Sequence, residues 1–268
     1  MISKFLINAI ALGGLFSLIS GPLGSVIIWR RLAFFGDTLS HGALLGLSLS
    51  LIFNFHPIVG IFLIAVILAV FLGYSSSSPG LATETRLAIL SPGLLSLGMV
   101  CFSFFKGIRF NLEGYLFGDI LAVSYQDLIL LLLGEIIVLG FLLKQWRALI
   151  NICISEDLAT VEGYNVPRVR ILFLFILALF IALTVKIMGV LLMTALLILP
   201  AVLARNFSKT PEEMAILAIG ASILMIMIGL LISNTYDIAA APAIVVTGVT
   251  IIMGIELFKC VRDNYKWK

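Results

Sequence analysis

The sequence predicts an all-α protein that crosses a membrane many times. Of 268 residues, 62% are hydrophobic and only 12% are charged, where a soluble domain carries about 25% charge. The hydrophobic residues fall in long runs that do not alternate with polar ones. In a bilayer only helices and closed barrels satisfy every backbone group, and barrel strands would alternate, so the runs are helices.

In order, the candidate spans are roughly 5–28, 38–53, 57–73, 87–105, 126–143, 171–185, 187–203, 213–232 and 239–258, judged against the ~20 residues a helix needs to cross. The first is too long, and too weakly charged at its start, for a typical signal peptide, so it counts as a span. That makes a bundle of about nine transmembrane helices. The runs beside His56-Pro57 and Lys186 have almost no loop between them, so eight spans with one re-entrant segment is the alternative. Several runs are broken by glycine and proline, at Gly21-Pro22, Pro92-Gly93, Pro200 and Pro242. Backbone groups freed at such breaks need protein neighbours, which puts these segments inside the bundle. The chain reads as a single transmembrane domain over 1–268, with a short cytoplasmic segment at 150–168.

Lysines and arginines orient the bundle. With nine spans and the 29–37 loop inside, only Lys4, Lys106, Arg109 and Lys186 of the 17 basic residues fall outside. The positive-inside rule then puts the N-terminus outside and the C-terminus in the cytoplasm. The basic tail KCVRDNYKWK reads as an inside anchor rather than a nucleic-acid site.

The stretch WRRLAFFGDTLSHGALLGLSLS, residues 29–50, is the chemical centre of the chain. Ionisable groups at the mouth of a hydrophobic segment are costly and usually have a task. Asp37 and His41 are four apart, hence on one helix face. A carboxylate and an imidazole so placed can hold a divalent metal. The alternative is that Asp37 caps the helix N-terminus and His41 hydrogen-bonds to a neighbour.

Two other polar stretches stand out. Residues 106–125, KGIRFNLEGYLFGDILAVSY, suit a short interfacial helix on the outer side. Residues 144–170 form the longest cytoplasmic segment. There Ser155 followed by Glu156 and Asp157 is a helix-start signal, Gly163 sits where a short helix would end, and Pro167 blocks its continuation. A helix held there suits docking of a soluble partner. Glu135 is the other carboxylate well inside a span, either a buried hydrogen-bonded group or part of a relay. His56 sits in a tight outer turn and reads as structural.

Enzymes find little support. No GxxxxGK[ST], HExxH or CxxC occurs, so the chain has no nucleotide-binding loop of its own. Cys101, Cys153 and Cys260 have no metal-ligand spacing.

The motif WRR-x-AFFGDTLSHGALLG at 29–46 resembles the signature of the membrane subunit of bacterial ABC transporters for zinc, manganese or iron. YLFGDILAVSYQDL at 115–128, SEDLATVEGYNVPRVR at 155–170 and LLILPAVLARNFSKTPEEMA at 196–215 are similar to that family too, and YDIAAAP at 236–242 is a weaker match. Within the family the chain is most like the zinc-uptake permeases of the plasma (inner) membrane. One departure is Pro92, within AILSPGLLSLG, where zinc permeases carry a histidine in the fourth span.

The resemblance implies a homodimer that imports a divalent metal, zinc before manganese or iron, using ATP bound by separate cytoplasmic ATPase subunits. An extracytoplasmic metal-binding protein would deliver the ion, and the chain would bind no cofactor of its own. Asp37 and His41 would lie on the metal path, and Glu156, Asp157, Ala159 and Gly163 at the ATPase contact. The 106–125 stretch would form part of the outer mouth. A secondary metal transporter is the rival class, but its paired midplane charges in inverted repeats are not found.

Overall fold

Each of the nine apolar runs is helix in the computed structural model, which describes residues 4–75, 81–104, 114, 118 and 125–265. The helices are α1 (Lys4–Trp29), α2 (Ala33–Phe53), α3 (Pro57–Ser75), α4 (Thr83–Ser103), α5 (Tyr125–Ile154), α6 (Glu156–Val161), α7 (Val166–Arg205), α8 (Pro211–Tyr236) and α9 (Ala240–Tyr265). No strand occurs among the described residues. The interfacial helix expected over 106–125 lies outside them except at 114, 118 and 125.

Three boundaries differ from the sequence reading. The runs 171–185 and 187–203 are two halves of α7, broken at Gly189 by φ 73° and ψ 162°. Glycine reaches that conformation without the Cβ clash other residues meet. The run 126–143 extends as α5 to Ile154, because Lys144 and Arg147 are good helix formers and no breaker intervenes. Residues 144–154 of the expected cytoplasmic segment are thus helix continuous with α5, and α6 follows them. The third difference is α2, which starts at Ala33, well before the expected 38.

Among the described residues, eight helical stretches are long and apolar enough to cross a membrane; α7 supplies two of them and α2 none. The count of nine therefore holds for helical runs, and α2 is the polar one. Contacts divide the chain into two compact units, one of residues 1–25 with 195–268 and one of residues 26–194.

In the second unit α2 packs on α3 and α4. Its hydroxyl residues Thr38, Ser40, Ser48 and Ser50 are all buried. Thr38 Oγ1 lies 2.7 Å from the Phe34 carbonyl and 3.1 Å from that of Leu87 in α4. Ser48 and Ser50 donate to the carbonyls of Leu45 and Leu47. Gly46 of α2 and Gly60 of α3 bring the two backbones together, and a Cβ on either would run into the other's carbonyl.

In the first unit, Ser17 of α1 donates to Ser222 of α8 at 2.8 Å, joining two buried hydroxyls. Thr210 and Glu213 form a reciprocal capping box that starts α8, with Pro211 in its first turn, and Asp237 ends it in the left-handed conformation. Lys259 of α9 donates to Asn206 beyond α7 at 2.7 Å.

The α2–α3 contact is testable. Gly46→Ala should destabilise the detergent-solubilised protein by about 1–3 kcal/mol, because only backbone faces the new methyl. Gly93→Ala, which has open space, should not destabilise it. Thermal unfolding of the two variants measures the contrast.

Candidate metal site and coupling helix

Helix α2 begins after Leu32, which makes no side-chain cap. Asp37 is therefore in the second turn and caps nothing, which removes the capping alternative. Asp37 and His41 share one face, with His41 Nδ1 3.7 Å from Asp37 Oδ2.

A third group joins them. Ser91 of α4 donates its hydroxyl to Asp37 Oδ2, and its Oγ lies 2.8 Å from His41 Nδ1. An ionised carboxylate only accepts, so the single Ser91 proton points at Asp37. The proton of the second bond must then come from His41 Nδ1. A neutral ring so arranged has Nε2 unprotonated, and that is the nitrogen able to ligate a metal.

Ser91 is buried at 3% exposure, whereas the Asp37 and His41 side chains are 41% and 20% exposed. The serine sits behind the pair, and the pair keeps an open side. Among the described residues no third His, Cys, Asp or Glu joins them. One chain thus offers a carboxylate and an imidazole, short of the four donors a tetrahedral ion takes.

Sequence reasoning missed Ser91, one serine in an apolar helix, although its place beside Pro92 marked the region. Proline has no N–H, so the Ala88 carbonyl loses the donor it would meet in an unbroken helix. At this level of α4 a hydroxyl, from Ser91, reaches Asp37 and His41. Glu135 is buried in α5, and its Oε1 has no hydrogen-bond partner among the described residues. The His56 ring accepts from the Ile58 N–H at 3.3 Å, a local role at the start of α3.

The segment expected to be cytoplasmic folds as its start and stop signals indicate. Ser155 caps α6, accepting from the Leu158 N–H at 3.3 Å. At the other end Gly163 adopts φ 89°. Gly163 N–H then reaches the Thr160 carbonyl and Tyr164 N–H that of Ala159, each at 3.0 Å. That is a Schellman stop, which a residue with a Cβ would strain. Asn165 then accepts from the Arg168 N–H at 3.1 Å and opens α7, with Pro167 in its first turn.

The four residues expected at the partner contact do not share one environment. Asp157 is exposed. The Ala159 side chain is fully buried in its own chain, so it cannot present the surface expected of it. Gly163 acts in the turn. Both carboxylate oxygens of Glu156 are engaged internally, by Arg30 and Arg170. The apolar groups α6 presents are Leu158 and Val161, the latter 85% exposed.

Comparison with known proteins adds to this geometry. The pattern of the ABC 3 transport family matches residues 2–259. The chain is 41% identical over 256 residues to the high-affinity zinc uptake system membrane protein ZnuB of Haemophilus influenzae, covering 96% of this chain and 98% of that protein. It is 26% identical over 257 residues to the manganese transport system membrane protein MntC of Listeria monocytogenes, covering 96% and 90%. Among solved structures it is similar to PsaBC from Streptococcus pneumoniae in complex with Fab. That match has a TM-score of 0.79 and 26% identity, and covers 93% of this chain and 90% of the other.

The Ser91 geometry makes a prediction. Ser91→Ala should leave the protein folded and weaken metal binding about 10-fold, within the 10–100-fold range for groups that orient a ligand. Ser91→Thr, which keeps the hydroxyl, should recover most of it. Isothermal titration of the purified permease with zinc measures both.

Proposed function

The chain belongs to the ABC 3 transport family and is a membrane permease subunit, and from that premise we propose that it carries zinc into the cytoplasm. The observation that carries the proposal is the cluster that Asp37 and His41 of α2 form with Ser91 of α4. Two copies of the chain meeting across a two-fold axis would place two carboxylates and two imidazoles around one ion. Four N/O donors at about 2.0–2.2 Å suit zinc. Two carboxylates also offset the double positive charge, lowering the cost of moving the ion through an apolar wall. The lack of thiolate ligands suits a path, since a passing ion must leave again.

The identity to a zinc uptake protein supports zinc over manganese or iron. Ser91, beside Pro92 in α4, sets a hydroxyl oxygen and no imidazole next to the pair, which is the observation that favours the manganese or iron reading. Ligand type alone does not select among these metals.

ATP would be hydrolysed by a separate soluble subunit docked on α6, through Leu158, Val161 and Asp157. An extracytoplasmic binding protein would supply the ion, in keeping with the basic residues gathered on the opposite, inner side. That same bias supports a cytoplasmic C-terminus and an external N-terminus, in a bacterial plasma membrane.

Two experiments test this reading. In proteoliposomes holding the permease and its ATPase, radiolabelled zinc uptake should require ATP and exceed manganese uptake. Asp37→Asn and His41→Ala should assemble normally and show background uptake; near wild-type uptake by both would remove the metal-path assignment.

The second uses Val161→Cys in a chain lacking Cys101, Cys153 and Cys260. A membrane-impermeant thiol reagent should label it in inside-out vesicles and not in intact spheroplasts, and bound ATPase should protect it. Labelling in spheroplasts would reverse the orientation, and labelling unaffected by the ATPase would move the dock elsewhere.

A further inference from the structure

The cytoplasmic helix α6 and the metal-site helix α2 are joined by ions. Glu156 opens α6. Its Oε1 accepts from Arg30 Nη2 at 3.2 Å, and its Oε2 from Arg170 Nη2. Arg30 lies at the end of α1, three residues before α2, and Arg170 in the first turns of α7. The carboxylate therefore bridges two guanidiniums from distant parts of the sequence.

The corner that carries Arg30 has no slack. Arg31 is left-handed, with φ 53°, an uncommon state for a residue with a Cβ. Its N–H reaches the Ile28 carbonyl at 3.2 Å, and the Leu32 N–H reaches that of Ile27 at 2.9 Å. Phe35 N–H then bonds the Leu32 carbonyl at 2.8 Å, so α2 starts directly from this turn. A displacement of Arg30 is passed to α2, and Asp37 sits only one turn further along.

Exposure gives the device a direction. The Arg30 and Arg170 side chains are 14% and 8% exposed, whereas that of Glu156 is 46% exposed. The cations are sheltered and the anion stands at the rim, beside Leu158 and Val161. A protein docking on those two side chains covers the exposed edge of Glu156. Excluding water there strengthens both pairs, because the effective dielectric falls. Burial lowers the Arg30 pKa from its ordinary value while the Glu156 charge raises it, so the carboxylate helps keep that guanidinium charged.

We infer that Arg30, Glu156 and Arg170 form an ionic clasp through which docking and movement at α6 set the position of α2 and its Asp37–His41 pair. The three are positioning residues of transport, and none touches the ion. This rests on the reading of α6 as the ATPase dock, which the Val161→Cys protection experiment tests separately.

The test compares zinc uptake with ATP hydrolysis in the same proteoliposomes. Glu156→Gln keeps the size of the side chain and removes its charge. Arg30→Met leaves the Glu156–Arg170 pair in place, and so guards against misfolding from two unopposed arginines. Both variants should assemble with the ATPase and hydrolyse ATP, while zinc moved per ATP falls about 5-fold or more, the lower end of ordinary coupling between sites. Zinc affinity of the isolated permease should stay at the wild-type value, and the Arg30→Met/Glu156→Gln double variant should lose little more than either single one. Arg30→Lys, which keeps the charge, should recover part of the ratio. An unchanged zinc-to-ATP ratio in both single variants overturns the clasp. So does a loss of uptake that only follows loss of assembled complex, since that marks a tie that merely holds the fold.

Discussion

A polar group shut away from water must find a partner within the protein, and that constraint governs α2. The helix carries a carboxylate, an imidazole and several hydroxyls in a chain that is otherwise overwhelmingly apolar. Each hydroxyl group left bare in hydrocarbon would cost several kcal/mol. Ser48 and Ser50 turn back onto their own helix, and Thr38 shares its proton between α2 and α4. The Gly46–Gly60 approach lets α3 close over the other flank. The packing of the second unit follows from the need to shelter this one helix.

That shelter is incomplete on one side, and the opening is chemically selective. Ser91 takes one oxygen of Asp37 and one nitrogen of His41, fixing both side chains from behind. What stays accessible is a carboxylate edge and an imidazole nitrogen, held by hydrogen bonds and not by ligand strain. Such a pair would meet a cation, in the reading proposed above, with its donors already oriented. It is also too small a donor set to hold one tightly by itself, which suits passage. At Glu156 a more exposed carboxylate is likewise backed by sheltered partners, there the Arg30 and Arg170 guanidiniums instead of a serine hydroxyl.

Much of this was legible in the sequence. Run length and the absence of alternation located the helices, and Ser155 and Gly163 bracketed α6, because caps and stops act over three or four residues. The four-residue spacing of Asp37 and His41 gave their shared face for the same reason. What could not be read depended on partners far apart in the chain. Ser91 is 50 residues from His41 and Arg30 is 126 from Glu156, and no periodicity records such pairings. Charge also misled at Lys144 and Arg147, whose long side chains let α5 continue where a loop was expected. Asp37 has the chemistry of a cap, but the phenylalanines before it carry the helix back to Ala33 and leave it no cap to make.

The polarity of α2 has a consequence for biosynthesis. As the chain emerges from the ribosome, α2 appears before either of the helices that shelter it. An acidic residue disfavours membrane entry most at the centre of an inserting helix, and Asp37, in the second turn of α2, adds to that cost together with His41. Helix α2 gains a stable place only once α3 has followed it, with a turn of three residues between them, and α4 has closed the other side. The close approach of Gly46 and Gly60 is the contact that ties α2 to α3 across that short turn. The partners that satisfy α2, Leu87 and Ser91 among them, lie on α4, so α2 stays dependent on protein neighbours until α4 is made.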